Sequence, residues 1–407
     1  MGIPTGSIRK LKNSAMKTSP IRIGYSLSLT GPVSENAKAA RLTHQIWERD
    51  INSRGGLLGR SVILTCIDDR GDAARAAAIY RDLLDNDRVD LVLGGYGTNT
   101  LAASMPVVME YKKFLIGLMG LGVNSALGYP NYFAMIPTGM RPNTALTEGF
   151  FELAASQSPT PKTVALLSAE AEFSINPVVG ARANAANYGL EVIKELRYPL
   201  STVDFTPVIE ELGRVNADIL FICSYLSDSV GLIKAIRSGS YRPKMLGGAM
   251  IGPQSASVKT DLGPLLNGIV NYEYWVPVPK MEFTGVRELL AEYQRQAIKE
   301  KTDLLGYYVV PLAYAQLQVL EQAVRNTGSL EDEKLSEYCR GNAFETVMGT
   351  IRFAKGGEWE QARVVQVQFQ NITNKSIETF KDDATQVIVA PRSYASGSFI
   401  YPYSPDN

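Results

Sequence analysis

The chain has 407 residues, 41 Lys+Arg against 41 Asp+Glu, and 45% hydrophobic residues. That length supplies about two to four folding units, and the zero net charge excludes a broad basic nucleic-acid surface. A single histidine, His44, excludes a histidine-based zinc motif, and three widely spaced cysteines, Cys66, Cys223 and Cys339, exclude a disulfide framework.

The basic N-terminus, with Arg9, Lys10, Lys12 and Lys17, has no apolar stretch of the kind a secretory signal needs. Either the protein is cytoplasmic or a signal has been removed and replaced; residues 1–19 are read as a disordered tail outside the fold. The longest apolar stretches, such as Tyr307–Ala315, fall well short of the ~18 residues of a membrane span.

From Ile21 the chain alternates strand and helix. Ile21–Leu27 reads as a buried strand, Ser34–Ser53 as a helix, Val62–Ile67 as a strand ending at Asp68-Asp69, and Asp72 as the cap of the next helix. Strands follow at Val89–Leu93 and Phe114–Leu118, with a helix opened by Thr98 or Asn99 between them. The pattern restarts after Arg141-Pro142, with helix Asn143–Ala155 and strand Thr163–Ser168. It continues through strands Glu191–Tyr198, Ile219–Ser224, Lys244–Leu246 and Gly268–Tyr274 and the helices between them. Short apolar strands separated by helices are βαβ units, so two parallel-sheet α/β lobes are expected. Three helices then follow, at Phe283–Ile298, Gly306–Asn326 and Glu333–Arg340. Met348–Phe353 and Arg363–Phe369 alternate as antiparallel strands around Lys355-Gly356-Gly357, and the end of the chain is irregular.

In open α/β sheets ligands bind beyond the carboxyl ends of the strands. Three such loops stand out: Ser28–Pro32, Gly94–Thr100 and Met119–Gly122. Their glycines let backbone approach a ligand, and the second loop offers hydroxyl and amide groups at a helix start, a natural carboxylate site. The same residues are equally good turn and cap material. Other signals are weaker. Gly120-Leu121-Gly122-Val123-Asn124-Ser125 follows the wrong strand for a dinucleotide fingerprint. No GxSxG elbow or phosphate loop occurs. His44 lies off the stripe of Leu42, Ile46, Trp47 and Ile51 and reads as a solvated surface residue. Asp68 and Asp69 read as turn caps, and Cys66 and Cys223 as inert core thiols.

Several ordered segments resemble the periplasmic solute-binding proteins of the branched-chain amino-acid (Leu/Ile/Val-binding) type, which serve ABC transporters. They are Ile23–Pro32, Asp50-Ile51-Asn52 with Gly55-Gly56 and Gly59-Arg60, Asp68-Asp69, Val203-Asp204-Phe205, and Met348–Phe353 followed by Gly356-Gly357. The resemblance implies a two-lobed type I periplasmic binding fold with three hinge crossovers. Lobe one is then 20–141 plus 272–345, lobe two 142–271 plus 346–382, and 383–407 an irregular C-terminal tail.

The resemblance also implies a ligand cleft between the lobes, closed by hinge bending. Thr98 matches the hydroxyl position for a carboxylate, with Tyr96 and Asn99 beside it, and Gly120, Leu121 and Gly122 match the backbone position. Asn36 stands where amino-acid binders often carry an aromatic residue, and Phe173 and Tyr225 match two covering aromatics. The family usually places an acid in the loop after residues 244–248, to pair with the ligand ammonium. Here Gly247–Pro253, with Met250 at its centre, contains none. A buried ammonium without a partner is costly, so the expected ligand is a carboxylate without an α-amino group, an aromatic acid or a short fatty acid. Asp68 or Asp69 remains the alternative source of that charge.

The resulting expectation is a periplasmic receptor of an ABC importer, a monomer that hands its ligand to permease subunits, with no catalytic residue, metal or cofactor. The alternatives are a branched-chain amino-acid binder, a cytoplasmic ligand sensor of the same fold, and an α/β enzyme using Asp68, Asp69 or Glu172.

Overall fold

A computed structural model describes residues 19–404, apart from the side chain of Glu172. The tail expected at the N-terminus lies outside the described residues over 1–18.

The first lobe begins β1 (Ile21–Leu27), α1 (Ser34–Ser53), β2 (Val62–Asp68), α2 (Ala73–Asp85), β3 (Leu91–Tyr96), α3 (Thr98–Glu110), β4 (Leu115–Met119) and β5 (Tyr132–Ala134). Its five strands lie in the order β2-β1-β3-β4-β5, all parallel. Every residue of β3 and β4 is buried, as expected for parallel strands covered on both faces. The third strand starts two residues later than the hydrophobic run suggests and extends through Gly94-Gly95. Gly95 belongs to the sheet because a Cβ there would lie 2.1 Å from the Ser26 carbonyl oxygen. Asp72 caps α2 by accepting from the Arg75 N–H at 2.8 Å, whereas Gly97, not Thr98 or Asn99, is the cap of α3.

The second lobe runs α4 (Pro142–Ala155), β6 (Thr163–Ala169), α5 (Glu172–Asn187), β7 (Glu191–Tyr198), α6 (Thr206–Val215), β8 (Ile219–Ser224), α7 (Leu226–Ser238), β9 (Met245–Met250), α8 (Ala256–Leu262) and β10 (Val270–Glu273). The chain then returns to lobe one as α9 (Val286–Glu300), α10 (Val310–Thr327) and α11 (Asp332–Gly341), followed by β11 (Ala343–Thr346), β12 (Gly349–Arg352), β13 (Val365–Phe369) and β14 (Gln386–Ala390). The second sheet has the order β14-β13-β10-β9-β8-β6-β7.

Several expectations about these elements need correction. Met348–Phe353 and Arg363–Phe369 do not pair: β12 pairs with β11, while β13 lies between β10 and β14. β13 is buried on both faces, with Gln366 and Gln368 inside the core, so its alternation of Val and Gln does not mark a solvent face. The hairpin sides with lobe one, because the Phe353 ring packs on Phe133 at 5.2 Å and the Gly357 carbonyl accepts from the Ala134 N–H at 2.8 Å. Finally, 383–407 is not wholly irregular, since Gln386–Ala390 completes the second sheet antiparallel to β13.

His44 is not a surface residue. It is fully buried, its Nε2 sits 3.1 Å from Gln316 Oε1, and Tyr25 packs edge-on against its ring. The amphipathic pattern misleads because α9 and α10 cover the outer side of α1, as in the Arg49–Gln296 and Tyr314–Asp50 hydrogen bonds. Gln316 in turn donates to the carbonyls of Gly94 and Ile116, fastening α10 to the sheet.

Candidate functional site

A cavity of about 280 Å³ lies between the lobes. Its walls follow the carboxyl ends of the strands: Ser28 after β1, Tyr96–Thr100 after β3 and Met119 and Leu121 around the end of β4. From the second lobe come Ala171 and Phe173 after β6, Leu200 after β7, Tyr225 and Ser227 after β8 and Ile251 after β9. Tyr308, just before α10, and Ile136 complete the apolar wall. A larger open groove of about 470 Å³ marks the outer face of lobe one, but its side chains are spent on each other, as in Arg54–Glu321 at 2.9 Å and Tyr314–Asp50 at 2.7 Å.

The N-terminus of the 13-residue helix α3 opens onto the cavity through Thr98, Asn99 and Thr100. The first N–H groups of a helix have no partner within it, and the helix dipole adds partial positive charge there. Thr98 Oγ1 accepts from the Leu121 N–H at 3.2 Å. Tyr96 Oη accepts from Asn36 Nδ2 at 2.8 Å, and Tyr308 packs edge-on against Tyr96 at 6.4 Å. Burial pushes the pKa of both tyrosines up, so their hydroxyls stay protonated and can donate. Across the cavity, Phe173 and Tyr225 form an edge-to-face pair at 6.0 Å.

Among the described side chains, none that lines the cavity is an acid, a lysine, an arginine or a histidine. Asp69 is buried elsewhere, accepting from Ser26 Oγ at 2.9 Å, Ser28 Oγ at 2.6 Å and the Gly71 N–H at 2.9 Å. Asp68 accepts from Thr30 Oγ1 at 2.8 Å and the Arg70 N–H at 2.9 Å. Both carboxylates therefore organise loops and neither reaches the cavity wall. The three cysteines are unpaired. Among the described residues no group of three or more metal-ligating side chains converges, and no helix is long and apolar enough to cross a membrane.

Of the residues singled out from sequence, Tyr96, Thr98, Asn99, Leu121, Phe173 and Tyr225 meet around this cavity. The other four do not line it. Asn36 stands behind Tyr96 and holds its hydroxyl. Gly120 lies beneath Leu101, whose Cδ2 would be 2.5 Å from an added Cβ, and Gly122 serves a turn at φ 66°. Met250 is the last residue of β9, its N–H and carbonyl both bonded to the Asn271 amide, and Ile251 takes the place at the wall. Sequence reasoning missed Tyr308, Leu200, Ile251 and Ile136. Tyr308 carried the one usable signal, an aromatic pair with Tyr307 just after Gly306.

Two α/β lobes that enclose a cavity between their strand ends have the architecture of a two-lobed binding protein. The sequence model of the periplasmic binding protein family matches residues 20–373, and the chain belongs to that family. By that family it is a solute-binding receptor and not an enzyme. Among curated proteins it is 20% identical over 388 residues to the Leu/Ile/Val-binding protein homolog 7 of Brucella abortus, covering 91% of this chain and 94% of that one. Among solved structures it resembles the branched-chain amino acid transporter substrate binding protein LivJ of Streptococcus pneumoniae, in complex with isoleucine. The TM-score is 0.74, with 14% identity and coverage of 94% and 100% of the two chains. It resembles equally an ABC transporter solute binding protein from R. palustris, in complex with benzoate, with TM-score 0.74, 14% identity and coverage of 92% and 99%.

Proposed function

We propose that the interlobe cavity binds a small carboxylate that carries no α-amino group, an aromatic acid or a short fatty acid, for delivery to the permease subunits of an ABC importer. In this reading the protein works in the periplasm as a monomer. The observation that carries it is the cavity wall, which is mostly apolar and has no acid among its described side chains to meet an ammonium. An unpaired ammonium in such a site forfeits several kcal/mol of solvation. The carboxylate would lie at the first turn of α3, near Thr98 and the Tyr96 and Tyr308 hydroxyls, with its body between Phe173 and Tyr225. The benzoate complex of a neighbour of the same fold supports the reading, while the isoleucine-bound neighbour makes amino acids the comparison that matters.

A thermal-shift screen tests the proposal with benzoates, phenylpropanoid acids, short fatty acids, branched-chain amino acids, amides and urea. Ligand at about 100 times its Kd adds ~2.7 kcal/mol, a visible shift. Stabilisation by an aromatic or fatty acid, with none from amino acids, is the expected result. Stabilisation by amino acids alone overturns it.

A further inference from the structure

Behind the cavity, where α8 of lobe two meets the loop between α9 and α10 of lobe one, three ionisable side chains are sealed from water. Lys259 on α8 is 0% exposed, its Nζ has no hydrogen-bond partner, and it lies 5.8 Å from the centre of the Tyr307 ring. Glu273, at the end of β10 where the chain leaves lobe two, is 1% exposed; Oε2 accepts from Gln254 Nε2 at 3.4 Å and Oε1 has no partner. Asp303 belongs to lobe one and accepts from the N–H groups of Leu305 at 2.8 Å and Gly306 at 3.2 Å. Close by, the lobes are also tied by Ser257 Oγ donating to Glu35 Oε2 at 2.5 Å.

We propose that Lys259, Glu273 and Asp303 form a proton-operated latch, which holds the lobes together while Glu273 is protonated and loosens them when it ionises. The charge count explains the direction. With Lys259 cationic, Asp303 anionic and Glu273 neutral, the trio is balanced. Loss of the Glu273 proton leaves a net negative charge in a dry junction, with Glu35 of α1 adding to it, and admitting water between the lobes relieves that cost. The remaining ionisable groups facing the trio are the hydroxyls of Tyr272, Tyr274, Tyr293 and Tyr307, which burial keeps protonated. On the solvent side Glu378 and Lys381 pair with each other at 2.7 Å, and Lys38 and Lys301 line an open groove that also holds Glu35, Ser257 and Thr302. Burial pushes Glu273 up to about 8 against the pull of Lys259, pushes Asp303 up to about 6, and pushes Lys259 down. A raised carboxyl favours the sealed junction fully below its ordinary 4.5, and that contribution is lost as pH rises through 8.

The latch does not depend on which ligand the cavity takes, so it is tested on the ligand-free protein. The readouts are melting temperature and X-ray scattering radius of gyration from pH 7 to 9, above the range in which Asp303 titrates. The wild type is expected to lose roughly 4 °C or more across this range and to expand with the same midpoint. Glu273→Gln, the neutral isostere of the latched form, is expected to fold, to abolish the expansion and to reduce the melting slope to the part that Glu358 contributes. Glu358→Gln serves as the control: it removes a second buried carboxyl that titrates in this range within lobe one, and should leave the expansion unchanged. An unchanged Glu273→Gln midpoint, or a melting shift without expansion, overturns the latch.

Discussion

Thr98 Oγ1 accepts the Leu121 N–H at 3.2 Å, so the loop that follows β3 is pinned to the loop that follows β4. This bond sets the spacing of the α3 first turn against Leu121, and both belong to the cavity wall. Thr98→Ala removes the hydroxyl and frees the Leu121 N–H. We expect affinity for the acid found by screening to fall by roughly 1.5–3 kcal/mol, the size of a hydrogen bond to a charged group. Thr98→Ser should restore most of it in calorimetric titration. Unchanged binding in Thr98→Ala removes Thr98 from the site.

Tyr225 is half-buried and meets Phe173 edge-to-face at 6.0 Å. Such pairs contribute about 0.5–1.5 kcal/mol beyond their buried area. Tyr225→Ala should weaken binding by at least that amount while the ligand-free melting temperature moves little. A large drop in ligand-free stability with intact affinity would make Tyr225 a packing residue.

His44 gives a pH dependence of stability. Burial lowers its pKa from 6.5 to about 4, only partly opposed by the Gln316 hydrogen bond. A depressed histidine contributes stability that is complete above 6.5 and lost as pH falls toward 4. The loss is on the order of 3 kcal/mol over that window. Urea unfolding at pH 7 and pH 4.5 should show it in the wild type and a smaller difference in His44→Asn.

Glu358 gives the opposite slope. Neither carboxyl oxygen has a hydrogen-bond partner, and burial pushes its pKa up to about 8. Its contribution is complete below 4.5 and lost as pH rises through 8. Glu358→Gln should match the wild type near pH 5 and exceed it at pH 8, by about 3 kcal/mol in urea unfolding. Equal stability at both pH values would mean that water already solvates the carboxylate.

The alternation of strand and helix in lobe one is legible in the sequence because its strands are short apolar runs set apart by helices, and the loops after them carry Thr98 and Leu121. What is not legible depends on long-range cover. His44 is hidden by helices more than 240 residues away, and Gln366 and Gln368 occupy a strand buried on both faces. Gly247 and Gly248 resemble a loop but stand inside β9, because an added Cβ at either would lie 2.0 Å from a neighbouring carbonyl oxygen. That shift moves Met250 into the sheet and Ile251 to the cavity. Tyr308 reaches the wall only because the third run of helices folds back onto lobe one.

Among the described side chains the cavity wall offers an ammonium group no carboxylate partner. The most direct measurement is calorimetric titration with pairs that differ only by that group: 4-methylpentanoate against leucine, and 3-phenylpropanoate against phenylalanine. At least one plain acid is expected to bind, and its amino-acid partner at least 100-fold more weakly, about 2.7 kcal/mol. Tighter binding of leucine or phenylalanine than of the matched acid would contradict it.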